Sequence, residues 1–347
     1  MSNGGGGYDE AAFVDLCKRE LELCGVGIGQ TVAVLRSGDV REHYARAVVC
    51  AGRLLGATVV EMNLPPASDN SDARAILAGA AQPLSGNRLA VEALKCADVI
   101  IDLMFILYTH EVHELQEAGA RILSCIEPVD ALARLFPTEE MRAKVEKAAE
   151  LLAGARKLQV TSKAGTDVTY QLGAYPVVMQ YGYTDTPGRW DHWPSGGFLY
   201  TSGSDDGVDG TIVLDVGDIV FPLNSYVSSP VEFTIRSGRV TRVSGGLDAD
   251  LVNDYMTGFE DPRAYAISHI GWGLEKRARW SSVAMLKDGI GMEARCFYGS
   301  VLWSTGPNLE VGGTNDTPCH LDMPMRGCSL FLDGAPVVVD GEVVAPE

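Results

Sequence analysis

Six histidines, His43, His110, His113, His192, His269 and His320, are the side chains here best suited to hold a metal ion or move a proton near neutral pH. His320 stands in Cys319-His320-Leu321-Asp322. In an extended segment residues i and i+2 point to one face, so this His-x-Asp offers an imidazole and a carboxylate side by side to one ion. A third ligand from elsewhere would complete a set of two imidazoles and one carboxylate, with coordination positions left open for substrate and oxygen. By itself the pair is as readily a hydrogen-bonded structural pair. Its context adds weight: Gly312-Gly313-Thr314-Asn315-Asp316 is a turn-rich loop able to bring the strand to a cavity. His269 lies in Ser268-His269-Ile270-Gly271-Trp272-Gly273, where small residues let other groups approach closely. A histidine satisfied by a hydrogen bond in a strand–turn is the plainer outcome there.

Arg189-Trp190-Asp191-His192-Trp193-Pro194 is dense in polar and aromatic groups between two β segments. Such a loop could carry an acid–base histidine in an aromatic-lined pocket, or simply pack. His110 follows the apolar stretch 98–107 and sits near the carboxyl end of the strand expected there, where open α/β sheets place ligands. His113 falls in the helix that follows and reads as structural or solvated. Gly25-Val26-Gly27-Ile28-Gly29 precedes the first expected strand, whereas a dinucleotide fingerprint follows one, so it reads as a loop. None of the eight cysteines forms a CxxC pair, which argues against a structural zinc site.

The elements that must position these residues change in grammar along the chain. Helical patterns at 8–23, 40–55, 89–95 and 111–117 alternate with apolar strands at 31–35, 57–61, 98–102 and 121–125. This alternation predicts an α/β domain with a mostly parallel sheet over residues 1–154, including one short helix within 64–87 and a long helix at 141–153. From 155 to 347 the chain predicts a β-rich α+β domain. Apolar and polar residues alternate at 158–161, 167–172, 210–214, 231–235 and 239–244, with a hairpin turn at Ser237-Gly238 and a helix at 247–257. The metal site is expected in this second domain.

The chain has 347 residues and a formal net charge of −18, a field that repels phosphate backbones and anionic membrane surfaces. Nucleic acid and membrane partners are therefore not expected. Residues 1–7 are glycine-rich with no apolar signal segment, so the cysteines are read as reduced thiols of a cytoplasmic protein, expected as a homo-oligomer.

Two stretches, 210–246 and 312–322, resemble the two-metal M29 peptidases, the thermophilic-type leucyl aminopeptidase family, and the His-x-Asp is the most specific shared element. The departures matter as much. Phe198 stands where that family has one metal-binding Glu, His269 where it has a second, and Ser300 at about the place of a metal His. What remains is His269, His320 and Asp322, which suits one Fe(II) better than two bridged metals. The run 180–194 is similar to the 2,5-dihydroxypyridine 5,6-dioxygenase family of nicotine and nicotinate degradation. That resemblance implies iron(II), O2, ring opening of a dihydroxypyridine to N-formylmaleamate, and acid–base histidines, carried onto His192 and His110. Gln180 stands where relatives place a carboxylate near the substrate. Tyr298, Trp303 and Ser304 lie in a segment expected near the metal, where Tyr298 and Ser304 would orient the ring and Trp303 would wall it or fill the core. The alternative is an M29-type metallo-aminopeptidase, which would need two metals per chain.

Overall fold

The computed structural model describes residues 9–65, 84–107, 109–285 and 289–345. The glycine-rich start and the short helix expected within 64–87 fall outside these. The chain forms two compact units, the first from residues 9–65, 84–107, 109–137 and 182–194, the second from the remaining described residues.

The first unit is built on a five-stranded sheet in the order Thr58–Leu64, Thr31–Ser37, Val99–Asp102, Arg121–Ser124, Trp190–His192, parallel throughout. Helices Glu10–Leu23, Glu42–Leu54, Arg88–Leu94 and His110–Glu117 connect or precede its first four strands. Val99–Asp102 and Arg121–Ser124 are buried at every residue, the signature of parallel strands covered on both faces. The sequence reading divides the chain once, at 154/155, whereas these units interleave. Two elements account for the difference. Trp190–His192, read as part of a loop, pairs with Arg121–Ser124, placing His192 level with Ser124. Three residues are too few for a periodic signal, so only the open edge of the sheet makes them a strand. Helix Glu139–Gly154 goes with the second unit, where Met141 packs so close to Gly197 that a Cβ there would sit 3.0 Å from its sulfur.

The second unit carries two larger antiparallel sheets. One has eight strands in the order Arg239–Gly245, Val231–Arg236, Val208–Leu214, Asp167–Gln171, Lys157–Ser162, Cys328–Leu332, Ala335–Val339, Glu342–Val343. Its strands alternate between core and solvent, as in Val231–Arg236, and its hairpin turns at Ser237 and Gly238, with φ of 46° and 69°. The other has five strands in the order Leu321–Met325, Val301–Thr305, Ile267–Gly273, Phe198–Ser202, Val178–Gln180. The first four are buried at every residue. That burial removes the alternation that marks strands in a sequence. Close packing is visible at Gly271, where a Cβ would fall 2.0 Å from the Leu199 carbonyl oxygen.

Candidate metal centre

His269 comes from the strand Ile267–Gly273, Asp322 from Leu321–Met325, and His320 immediately precedes the latter. The strand Val301–Thr305 lies between them and sets their spacing. The ladder between Ile267–Gly273 and Val301–Thr305 shifts register between Ile267 and Ile270, and His269 sits in that irregularity. Ser304 repairs it. Its hydroxyl accepts from the His269 N–H at 2.8 Å and donates to the His269 carbonyl at 3.3 Å. Ser304 is also level with Asp322 across the sheet.

One ligand atom from each of His269, His320 and Asp322 lies within 4.8 Å of the others, and all three side chains are buried. Asp322 Oδ1 is 3.1 Å from His269 Nε2 and 3.2 Å from His320 Nε2. The far side of each ligand is occupied. His320 Nδ1 is 3.0 Å from the Thr305 carbonyl, which can only accept, so Nδ1 carries the proton and Nε2 presents its lone pair. Asp322 Oδ2 accepts from Arg295, with Nε and a terminal nitrogen each 2.8 Å away. His269 Nδ1 lies 3.3 Å from Glu310 Oε1.

Asp322 Oδ1 itself accepts no hydrogen bond. With both rings neutral, lone pairs converge on one buried point, an arrangement that a proton or a metal ion must relieve. Burial pulls the His269 ring toward neutrality, but Asp322 and Glu310 outweigh it and hold its pKa at about 9. Burial likewise opposes the charged Asp322, yet His320, Arg295 and His269 keep its carboxyl well below the usual range. Two imidazole nitrogens and one carboxylate oxygen on a common point fit a single divalent metal with further positions open. Among the described residues this is the one cluster of His, Cys, Asp or Glu with that geometry.

The other residues singled out from sequence are placed as follows. Gln180 ends the strand Val178–Gln180, is buried, and accepts at Oε1 from the Ser195 hydroxyl at 2.7 Å. Tyr298 donates to the Val343 carbonyl at 3.2 Å, with the Lys276 ammonium 4.5 Å above its ring. Trp303 packs edge-on against Phe233 at 4.9 Å, a core contact. In the first unit His192 is buried at the sheet edge, its ring 6.5 Å from that of Phe105 and 6.4 Å from that of Trp190. The Asp102 carboxylate accepts from the N–H groups of Met104, Phe105 and Ile106, which bends the chain so that Phe105 takes a φ of 65°. Asp102, Ser124 and His192 are level across three parallel strands, at their carboxyl ends. His110 is exposed at the first turn of its helix. Sequence reasoning missed Arg295, Thr305 and Glu310. Thr305 acts through its backbone, and one buried charge looks like any surface charge in a single sequence.

Phe198, which the resemblance sets against a peptidase metal ligand, stacks on Tyr200 at 5.4 Å, and Ser300, set against another, donates to the Phe297 carbonyl at 2.8 Å. Neither supplies a second metal. The 2,5-dihydroxypyridine 5,6-dioxygenase (NicX) family model matches residues 12–345. The chain belongs to this family. The 2,5-dihydroxypyridine 5,6-dioxygenase of Pseudomonas putida KT2440 is 45% identical over 343 residues, 97% of each protein. A solved structure of the dioxygenase from that strain matches with a TM-score of 0.94 at 44% identity, covering 98% of this chain and 99% of that one. Wild-type AmpT from Thermus thermophilus matches with a TM-score of 0.60 at 12% identity over 97% and 100% of the two chains, a likeness of fold alone. Among the described residues no helix is long and apolar enough to cross a membrane.

Proposed function

We propose that this protein is an Fe(II)-dependent ring-cleaving dioxygenase that adds both atoms of O2 across the C5–C6 bond of 2,5-dihydroxypyridine to give N-formylmaleamate. The observation that carries the reading is the convergence of His269 Nε2, His320 Nε2 and Asp322 Oδ1 in a protein of this family. Bound there, iron(II) would supply a Lewis-acidic, redox-active centre with positions for both substrate and oxygen.

The protein's own residues supply the rest. The two ring hydroxyls are para to each other, so the substrate cannot grip one ion through both as a catechol does. Orientation and proton movement then fall to side chains. We assign the proton transfer to His192, buried among Trp190 and Phe105 at the carboxyl end of its sheet, with His110 as a second acid–base group. Gln180, its Oε1 held by Ser195, offers its amide nitrogen as a neutral donor to a ring oxygen. Ser304 serves by fixing the His269 backbone, and Tyr298, tied to Val343, by fixing its own segment. All eight cysteines are free thiols, which fits a reducing cytoplasm. A homo-oligomer completes the reading. The test is oxygen uptake by anaerobically iron-loaded protein over a panel of dihydroxypyridines and gentisate-like benzenoids.

A further inference from the structure

Glu310 carries a buried carboxylate that the reaction as described does not use. Its side chain is 5% exposed, and neither oxygen accepts a hydrogen bond among the described residues. Its contact is with His269, where Oε1 lies 3.3 Å from Nδ1. Isolated carboxylates are costly to bury, so one kept there without other partners calls for a function.

The backbone goes to some length to put it there. Glu310 lies in the short 3-10 turn Leu309–Val311, which ends at Gly312 with φ of 83°. The loop is clasped at its base. Asn308 Oδ1 accepts from the Asn315 N–H at 2.9 Å, and the Asn308 N–H donates to the Asn315 carbonyl at 3.2 Å. Gly313 lies so close to the Asn308 amide that a Cβ would approach it to 2.1 Å. The glycine- and asparagine-rich stretch before the His-x-Asp thus does more than lead into a strand. It holds Glu310 against the back of a metal ligand.

Geometry decides between ligand and support. The two nitrogens of an imidazole face away from each other, so a group at Nδ1 cannot reach an ion at Nε2. We propose that Glu310 is the positioning residue of the metal centre: it locks the His269 ring with Nδ1–H toward its carboxylate and so aims the Nε2 lone pair at the ion. This pairs with the Thr305 carbonyl, which does the same for His320. The two supports differ in charge. Carbonyl and carboxylate make the two imidazoles unequal donors, with His269 the stronger. Counting Asp322, Glu310 and Arg295, with both rings neutral, the pocket carries one net negative charge. A divalent ion brings it to plus one, which one substrate anion neutralises. The inference rests on the metal reading above.

The test uses full-length wild-type protein, Glu310→Gln and Glu310→Ala. Binding of Co(II) to the metal-free proteins is measured by calorimetry, and the visible absorption of the cobalt forms is recorded. Loss of an outer partner of a metal-ligating histidine typically weakens metal affinity 10–100-fold. Glu310→Ala should lie near the upper end of that range. The near-isosteric Glu310→Gln retains an acceptor but no charge and should lose about tenfold, with shifted cobalt bands because His269 donates less strongly. Should Glu310→Ala prove unstable, Glu310→Gln carries the decision. Wild-type affinity together with unshifted cobalt bands in Glu310→Gln overturns the role of Glu310. Failure of the wild type itself to bind Co(II) or Fe(II) overturns the metal reading and this inference with it.

Discussion

Arg295→Met removes the cation that holds Asp322 and leaves its shape largely in place. Both side chains are buried, 5% and 6% exposed, so solvent screening offers little relief. Asp322 Oδ2 loses two contacts of 2.8 Å, and the packing of the guanidinium over the Phe221 ring at 4.1 Å is lost as well. Removing one member of a buried pair costs about 3–5 kcal/mol, chiefly because the other charge remains buried. That lowers the folding equilibrium by about 10²–10⁴-fold at 1.4 kcal/mol per factor of ten. Asp322→Asn alone strands the arginine in turn. The double variant has no stranded charge and should be more stable than the sum of the single losses by about 1.5 kcal/mol or more. Urea unfolding of the four metal-free proteins, followed by circular dichroism, measures the cycle. Additive losses, within about 0.5 kcal/mol, would refute the claim that Arg295 acts on Asp322.

Two further perturbations separate support from chemistry. Ser304→Ala leaves the buried His269 N–H without an acceptor and should cost about 1–3 kcal/mol, read as a fall in Tm, with weaker metal binding; an unchanged Tm would show that the hydroxyl does not hold the irregular ladder. His192→Ala should keep its metal while turnover falls about 10²–10⁴-fold, with little change in substrate affinity. His192→Gln should do no better than Ala, since an amide cannot shuttle the proton; recovery of activity in Gln would reduce His192 to packing.

Part of the His269, His320 and Asp322 cluster is legible because its signal is local. His-x-Asp needs only a two-residue period to share a face, whereas His269 joins it through the family resemblance and not through its own surroundings. The parallel sheet was legible too, since its strands and helices alternate over long stretches. Two features were not. Four strands of the five-stranded sheet that carries the site are buried at every residue, so they lack the alternation that marks a strand. The residues behind the ligands, Arg295 and Glu310, gain their meaning from burial alone. Ser304, expected beside the ring, has its hydroxyl engaged by the His269 backbone, a contact created by a register shift that no spacing rule announces.

One metal held by His269, His320 and Asp322 is proposed to let this protein insert both atoms of O2 into a dihydroxypyridine ring. The most direct test is the fate of ¹⁸O2 consumed by anaerobically iron-loaded protein on addition of 2,5-dihydroxypyridine, read by mass spectrometry of the product. The expected result is oxygen uptake equal to the ring opened, both labelled atoms in N-formylmaleamate, and neither uptake nor product with Asp322→Ala. Turnover without oxygen uptake, or undiminished labelling in Asp322→Ala, would contradict it.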